Sequence, residues 1–399
     1  MSPPNYDFYT RLARVFNSGQ ARSLILSGNV YDLLHDGKDY VPLIPFLAGK
    51  SKTRGLIRLV YELNGPVRIL DDRQKLQQAW IAWKSGSDPD TLMVKGLRKK
   101  GPSEYERLAA QFDQLLLDAI GNATLALELL RQLTICSRSH LAEDLLILVE
   151  AADLLLPAGR EDVASLNDTQ LRRISIVQDW FGDPAFMNGG DCVCLVAESR
   201  SLIHPRVARL PQVLSVEIPS PSTAEGRPCI EHFIEHFRQS APKKPKLWGT
   251  PEEVATATAG LSIHALRQLL AGAAYAGEPV APGDVVEKVE QFIQAQLGED
   301  VVEFKKPGHG LNDVVGFARL KRFLREELMP RFRASGDRAL PGAAVAGPIG
   351  SGKTFTFEAV AAELGVPVLV LKNIRSQWYG QTDVIFERLR RVLEALEKV

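Results

Sequence analysis

The segment with the clearest chemistry is Gly347-Pro-Ile-Gly-Ser-Gly-Lys-Thr354, which fits the spacing G-x-x-x-x-G-K-[ST] at every fixed position. Gly347, Pro348, Ile349, Gly350, Ser351 and Gly352 would form a cradle, because glycines at this spacing let successive backbone N–H groups converge on phosphate oxygens. Lys353 is placed to reach the β- and γ-phosphates of a nucleoside triphosphate, and Thr354 to put its hydroxyl on Mg²⁺. The ligands implied by this run are ATP and Mg²⁺. Its neighbours read correctly for that use. Ala343–Ala346 is a short apolar strand, and Gly352–Leu364 is a helix closed by Gly365. The helix N-terminus adds partial positive charge where a triphosphate would sit.

The elements around the cradle follow from pattern. Val366–Leu371 reads as the next strand and Ser376–Gly380 as a loop. Thr382 or Asp383 can cap a helix whose apolar side is Ile385, Leu389, Val392 and Leu396. Ahead of it, Lys305-Lys-Pro-Gly-His-Gly310 is the clearest interdomain linker.

In the first half, Phe8, Leu12, Val15 and Phe16 have helical spacing that stops at Asn17-Ser-Gly19. Ser23–Leu26, Leu56–Tyr61, Leu145–Val149 and Cys192–Val196 read as buried strands. The first two, with a helix near Leu43–Leu47, form an opening β-α-β unit. Helical stretches separate the later pairs: Leu108 to Leu133 with a turn at Gly121-Asn122, then Leu171–Trp180. Strands alternating with helices imply an α/β fold with a parallel sheet covered on both faces. Pro219–Pro221 ends the sheet region, and Ala241-Pro-Lys-Lys-Pro-Lys246 is a stiff basic spacer before a helical block. In that block Asp284 begins a helix, with Glu287 completing a capping box. Ala48-Gly-Lys50-Ser51 is not a second cradle, because Ile44 stands where its first glycine should be.

Asn312-Asp-Val-Val-Gly316, Leu320-Lys321, the Walker A cradle and Trp378-Tyr-Gly380, in that order, resemble the start of an AAA (AAA+) module. The resemblance implies that Val315 and Gly316 lie beside the adenine. It also implies that Trp378, Tyr379 and Gly380 line the central pore of a ring and grip a polypeptide, with Gln381 where the family has Glu. A weaker likeness runs back through the chain. Leu145–Glu150 stands where the family has Walker B, with Val149 at the Asp position and Glu150 at the Glu position. Cys192–Val196 resembles the sensor-1 strand, with Glu198 in place of Asn. His204-Pro-Arg206-Val-Ala-Arg209 resembles the arginine-finger segment, and Ala259–Leu266 the lid. With no cradle in the first half, Arg206 and Arg209 read as surface or interface arginines. The whole is similar to tandem AAA ATPases of bacteria and plastids with a degenerate first module. The implied layout is a degenerate α/β module at 1–240, its helical lid at 241–300, a linker at 301–311, and the cradle-bearing module at 312–399. The two halves then look like a distant duplication.

Composition narrows the remaining choices. Of 399 residues, 45% are hydrophobic and 24% charged, as in a soluble globular protein. Lys+Arg and Asp+Glu are both 48, so no global basic field calls for nucleic acid or anionic lipid. The longest apolar runs are far short of the ~20 residues that span a bilayer. The start, Met1-Ser-Pro-Pro, lacks a secretory pattern, so a cytoplasmic place is expected. Cys136, Cys192, Cys194 and Cys229 lack the companions of a metal set and read as buried thiols. The expectation is a homo-oligomeric ring ATPase, a hydrolase that remodels or threads a protein. The alternatives are a non-hydrolytic nucleotide switch or assembly scaffold, and a nucleic-acid-acting ATPase supported only by Arg98–Lys100 and Lys243–Lys246. No Walker B, sensor or lid follows the cradle before Val399. The chain therefore reads as part of a longer protein, the alternative being a natural truncation; either way little turnover of its own is expected, and its catalytic Glu is unassigned.

Overall fold

The computed structural model describes residues 6–52, 55–96, 101–158, 166–240, 245–297, 302–305, 308–332, 334, 338–340, 342–364, 366, 368–372, 386, 389–390 and 393. Helix α1 (Asp7–Ser18) buries Phe8, Leu12 and Val15 and is stopped by Gly19 in the left-handed region. Strand β1 (Ser23–Gly28) follows, then a hairpin of β2 (Leu33–His35) and β3 (Tyr40–Pro42), helix α2 (Leu43–Ser51), and strands β4 (Leu56–Tyr61) and β5 (Val67–Ile69). Helices α3 (Arg73–Ser85), α4 (Pro89–Gly96), α5 (Glu104–Asp118) and α6 (Ala123–His140) lead to β6 (Asp144–Val149). Helices α7 (Ala152–Leu155), α8 (Asp168–Gly182) and α9 (Pro184–Met187) precede β7 (Cys192–Val196). Helix α10 (Pro205–Ala208) precedes β8 (Val213–Ile218).

Six of these strands form one sheet in the order β5-β4-β6-β7-β1-β8. Only β5 runs antiparallel, against β4, and the other pairings are parallel. Every residue of β1 and of β7 is buried, which requires helices on both faces. The two-residue period of a strand splits β1 between two cores. Ile25 packs with Trp80, Phe112 and Trp180, while Leu24 and Leu26 pack with Phe8, Leu43 and Phe46. The opening is not a simple β-α-β unit, because a hairpin intervenes and β6 and β7 stand between β1 and β4.

A helical part follows: α11 (Thr223–Ser240), β9 (Lys246–Leu247), α12 (Pro251–Ala257), α13 (Ile263–Ala276), β10 (Pro279–Val280) and α14 (Pro282–Leu297). The short strands β9 and β10 pair in parallel. Thr250 and Glu253 form a reciprocal capping box on α12. Helix α14 starts two residues before Asp284. That carboxylate instead reaches back to accept from the Ala281 N–H at 2.7 Å, the role expected for Glu287 toward an Asp284 cap.

By compactness the chain divides into Met1–Lys288 with Gln377–Val399, and Val289–Ser376. Within the second unit, β11 (Val302–Lys305) lies inside the span read as linker and pairs antiparallel with β12 (Val368–Leu371). Between them come α15 (Ala318–Phe323), one π-helical turn at Leu324–Leu328, α16 (Met329–Phe332) and α17 (Lys353–Leu364). Ala343–Ala346 is exposed and joins no ladder, so the expected strand before the cradle is not formed among the described residues. Ala343 and Val345 instead line an apolar groove of about 410 Å³ with Val360, Leu364 and Val368. No helix among the described residues is long and apolar enough to cross a membrane.

Candidate nucleotide site

The cradle Gly347–Gly352 runs directly into α17 and lies on the surface. Gly350 and Gly352 have φ of 80° and 75°, a region that costs other residues strain, so two of the motif's glycines are required by the backbone itself. A Cβ at Gly347 would stand 3.0 Å from the Ser351 Oγ. Ser351 N–H donates to the Pro348 carbonyl at 3.3 Å, which folds the loop on itself. The Lys353 ammonium lies over this loop, donating to the carbonyls of Gly347 at 2.9 Å and Pro348 at 2.6 Å. The result is a cation held at the mouth of a glycine turn at a helix N-terminus, which suits phosphate. Thr354, in the first turn, keeps its side chain exposed.

A second segment is fastened beside α17. His309 stacks on Phe355, and Leu311 and Val314 are buried with Leu324, Ala359 and Val360. Arg325 bridges Asn312 and Glu363, holding the segment to the far end of the same helix. The Lys321 ammonium donates to the Val314 carbonyl at 2.8 Å. This anchoring leaves Val315 at 91% exposure and Gly316 at a φ of 79°, so two apolar positions stand exposed on the segment packed against the cradle's helix. The sequence reading missed His309 and Phe355, because the first lay in a Gly-rich run read as linker. Trp378, Tyr379 and Gly380 lie outside the described residues, as do Thr382 and Asp383.

The first-half positions lie after β6, after β7, and on or beside α10. Glu150 follows β6, and its N–H donates to the Tyr61 carbonyl at 2.9 Å. Burial, and then the nearby Glu62, push its carboxyl above the usual range. Arg206 lies on α10 and Arg209 caps that helix, both exposed, ahead of β8. Asp153 Oδ2 accepts from the Glu198 N–H at 3.2 Å, tying the ends of two neighbouring strands. Cys192 and Cys194 face the same core, as their spacing implied, and the described cysteines are all buried thiols. Among the described residues no group of His, Cys, Asp and Glu is arranged to hold a metal.

The family described as AAA+ chaperone, N-terminal Rossmann-like domain, matches residues 3–219. A second, AAA+ chaperone, second helical domain, matches residues 231–298. No curated protein matches the chain. Among solved structures, a chain of the E. coli MS115-1 HORMA:CdnC:Trip13 complex aligns over 70% of this chain and 77% of its own length, at 12% identity and a TM-score of 0.39.

Proposed function

This chain belongs to the AAA+ chaperone family, and from that premise we propose that it is an ATP-dependent remodeller of protein whose nucleotide site is Gly347–Thr354. The observation that carries the reading is the cradle itself, a loop at the start of α17 that has two positive-φ glycines and holds the Lys353 ammonium on its Gly347 and Pro348 carbonyls. Gly347–Gly352 and Lys353 would hold the phosphates of ATP, Thr354 would hold Mg²⁺, and Val315 and Gly316 would lie on the adenine side. Bound Mg²⁺ supplies charge neutralisation for phosphoryl transfer. The chain's own contribution at this point is binding and orientation.

The finer reading is a ring of identical chains in the cytoplasm that grips polypeptide through Trp378 and Tyr379 and remodels or threads it. The Rossmann-like domain and its helical partner then serve as scaffold, partner docking or ring contact, with Arg206 and Arg209 as surface or interface arginines and Glu150 half-buried at the position where the family has its Glu. Neutral overall charge favours a protein partner over nucleic acid.

The test is labelled-ATP titration of the whole chain and of Lys353→Ala, beside thermal melting. A charge-assisted contact is worth roughly 1.5–3 kcal/mol, so the variant should bind at least about tenfold more weakly while melting where the parent does. Equal affinities would end the assignment of this loop.

A further inference from the structure

The sheet of the first unit has a switch point at β1, where the chain departs toward β4 on one side while β8 closes the other. Ligands of open parallel sheets bind in the crevice beyond the carboxyl ends of the strands at such a point. Here that crevice is filled by the protein. At the end of β1, Gly28 N–H donates to the Glu198 carbonyl at 3.0 Å, and Asn29 N–H, opening the loop after it, donates to the Ile218 carbonyl at 2.9 Å, so the start of that loop is held on the ends of β7 and β8. The space left between Asn29, Asp32, Ile218, Glu225 and Ile263 is about 20 Å³. That is room for about one water and no more.

Asp32 stands at the centre of this closure and is 3% exposed. Its Oδ2 accepts from the Ile263 N–H at 2.8 Å and from the Asn29 amide at 2.9 Å, and its Oδ1 from the His264 N–H at 3.1 Å. Ile263 and His264 open α13, and the next amide, Ala265 N–H, donates to Ser262 Oγ at 3.1 Å. The opening amides of a helix are the groups that would receive an anionic ligand. All three are already used, two of them by a carboxylate that arrives from 231 residues away. The rim is acidic as well. After burial, Asp153, Glu198 and Glu150 are what push the Tyr31 phenol above its ordinary value.

We propose that Asp32 is a built-in anion that takes the place of a phosphate in the first unit, closing its crevice to nucleotide and pinning α13 to the sheet permanently. The Rossmann-like domain and helix α13 then hold one orientation whether or not ATP is present. This rests on the reading above that nucleotide binds at Gly347–Thr354. Amide hydrogen exchange on the full chain tests it, in the parent, Lys353→Ala, Asp32→Ala and Asp32→Asn, each with and without millimolar Mg-ATP. Loss of Asp32 should speed exchange at residues 263–265 by tenfold or more. Asp32→Asn, which retains one acceptor, should speed it severalfold, and this readout stands if Asp32→Ala does not fold. In Lys353→Ala, ATP should leave residues 27–32 and 263–266 unchanged. Protection there on adding ATP, or unaltered exchange in the folded Asp32 variants, overturns the proposal. Absence of ATP protection at residues 347–360 in the parent would instead sink the nucleotide reading and leave the Asp32 result standing.

Discussion

His309 lies face to face on Phe355, with ring centroids 3.7 Å apart and planes 7° apart, and its Nε2 is 2.8 Å from the Phe355 carbonyl oxygen. Phe355 is the residue after Thr354, so this stack fastens the segment carrying Val315 and Gly316 to the first turn of the cradle's helix. An aromatic pair of this kind is worth about 0.5–1.5 kcal/mol. His309→Ala should therefore weaken ATP binding about three- to tenfold, and His309→Phe should restore most of it. Titration with a fluorescent ATP analogue reads both. Unchanged affinity in the alanine variant would detach this segment from the nucleotide site.

Thr354 contributes to binding through the metal alone if its hydroxyl ligates Mg²⁺. Thr354→Ala should then bind ATP in EDTA as the parent does, yet lose the gain in affinity that Mg²⁺ gives. Thr354→Ser should keep that gain. An alanine variant with the full Mg²⁺ effect would remove Thr354 from the metal site.

Asp191, just ahead of β7, gives the fold a pH dependence of unusual sign. It is buried, accepts from the Leu145 N–H at 2.7 Å and contacts Ser137 Oγ at 2.5 Å, and burial raises its pKa to about 6. The folded state thus holds a proton that the unfolded chain releases near 4, so stability is full below that pH and falls as pH rises through about 6. The loss amounts to roughly 3 kcal/mol at about 1.4 kcal/mol per unit. Asn can accept from Leu145 and donate to Ser137 without a charge. Asp191→Asn should be at least as stable as the parent at pH 7.5, with the difference shrinking toward pH 4. Denaturant melts across that range check it, and parallel curves would show that Asp191 does not titrate as described.

Cys192–Val196 was legible to the residue because a strand buried on both faces leaves an uninterrupted apolar run, and in Leu56–Tyr61 five apolar or aromatic residues outweigh the lone Arg58, whose charge is met by Asp71. The edge strand β5, three residues long with the charged Arg68 at its centre, leaves no such run. Ala343–Ala346 has the composition of a strand, but a strand also needs a partner ladder, which composition cannot supply. The cradle was legible because its chemistry is local: the glycines act through their own backbone, and the lysine follows them in sequence. Asp32 was not, because its donors Ile263 and His264 are set by tertiary packing. Nothing near residue 32 signals them.

Gly28 and Gly190 separate backbone necessity from mere crowding. A Cβ at either would collide with a neighbour, yet the obstacles differ in kind. At Gly28 it is the Ile218 carbonyl, part of the β8 backbone, and φ is already 98°, where side chains are strained. At Gly190 it is the carboxylate of Asp144, an exposed side chain that can swing away, and φ is ordinary. Strain at such a φ costs about 1–3 kcal/mol before the clash is counted. Gly28→Ala should thus destabilise the first unit by more than about 2 kcal/mol, and Gly190→Ala by less than about 1. At 2–4 °C per kcal/mol for a domain of this size, the first change should lower the melting temperature by roughly 4 °C or more, and the second by no more than about 4 °C. Exchange at residues 263–265 adds a distinguishing readout. Lifting the loop after β1 off Ile218 should loosen Asn29 and Asp32 together and speed exchange at those amides, whereas Gly190→Ala should leave them protected. Equal melting shifts for the two variants, with α13 protected in both, would mean that the loop after β1 can move away from β8 without cost.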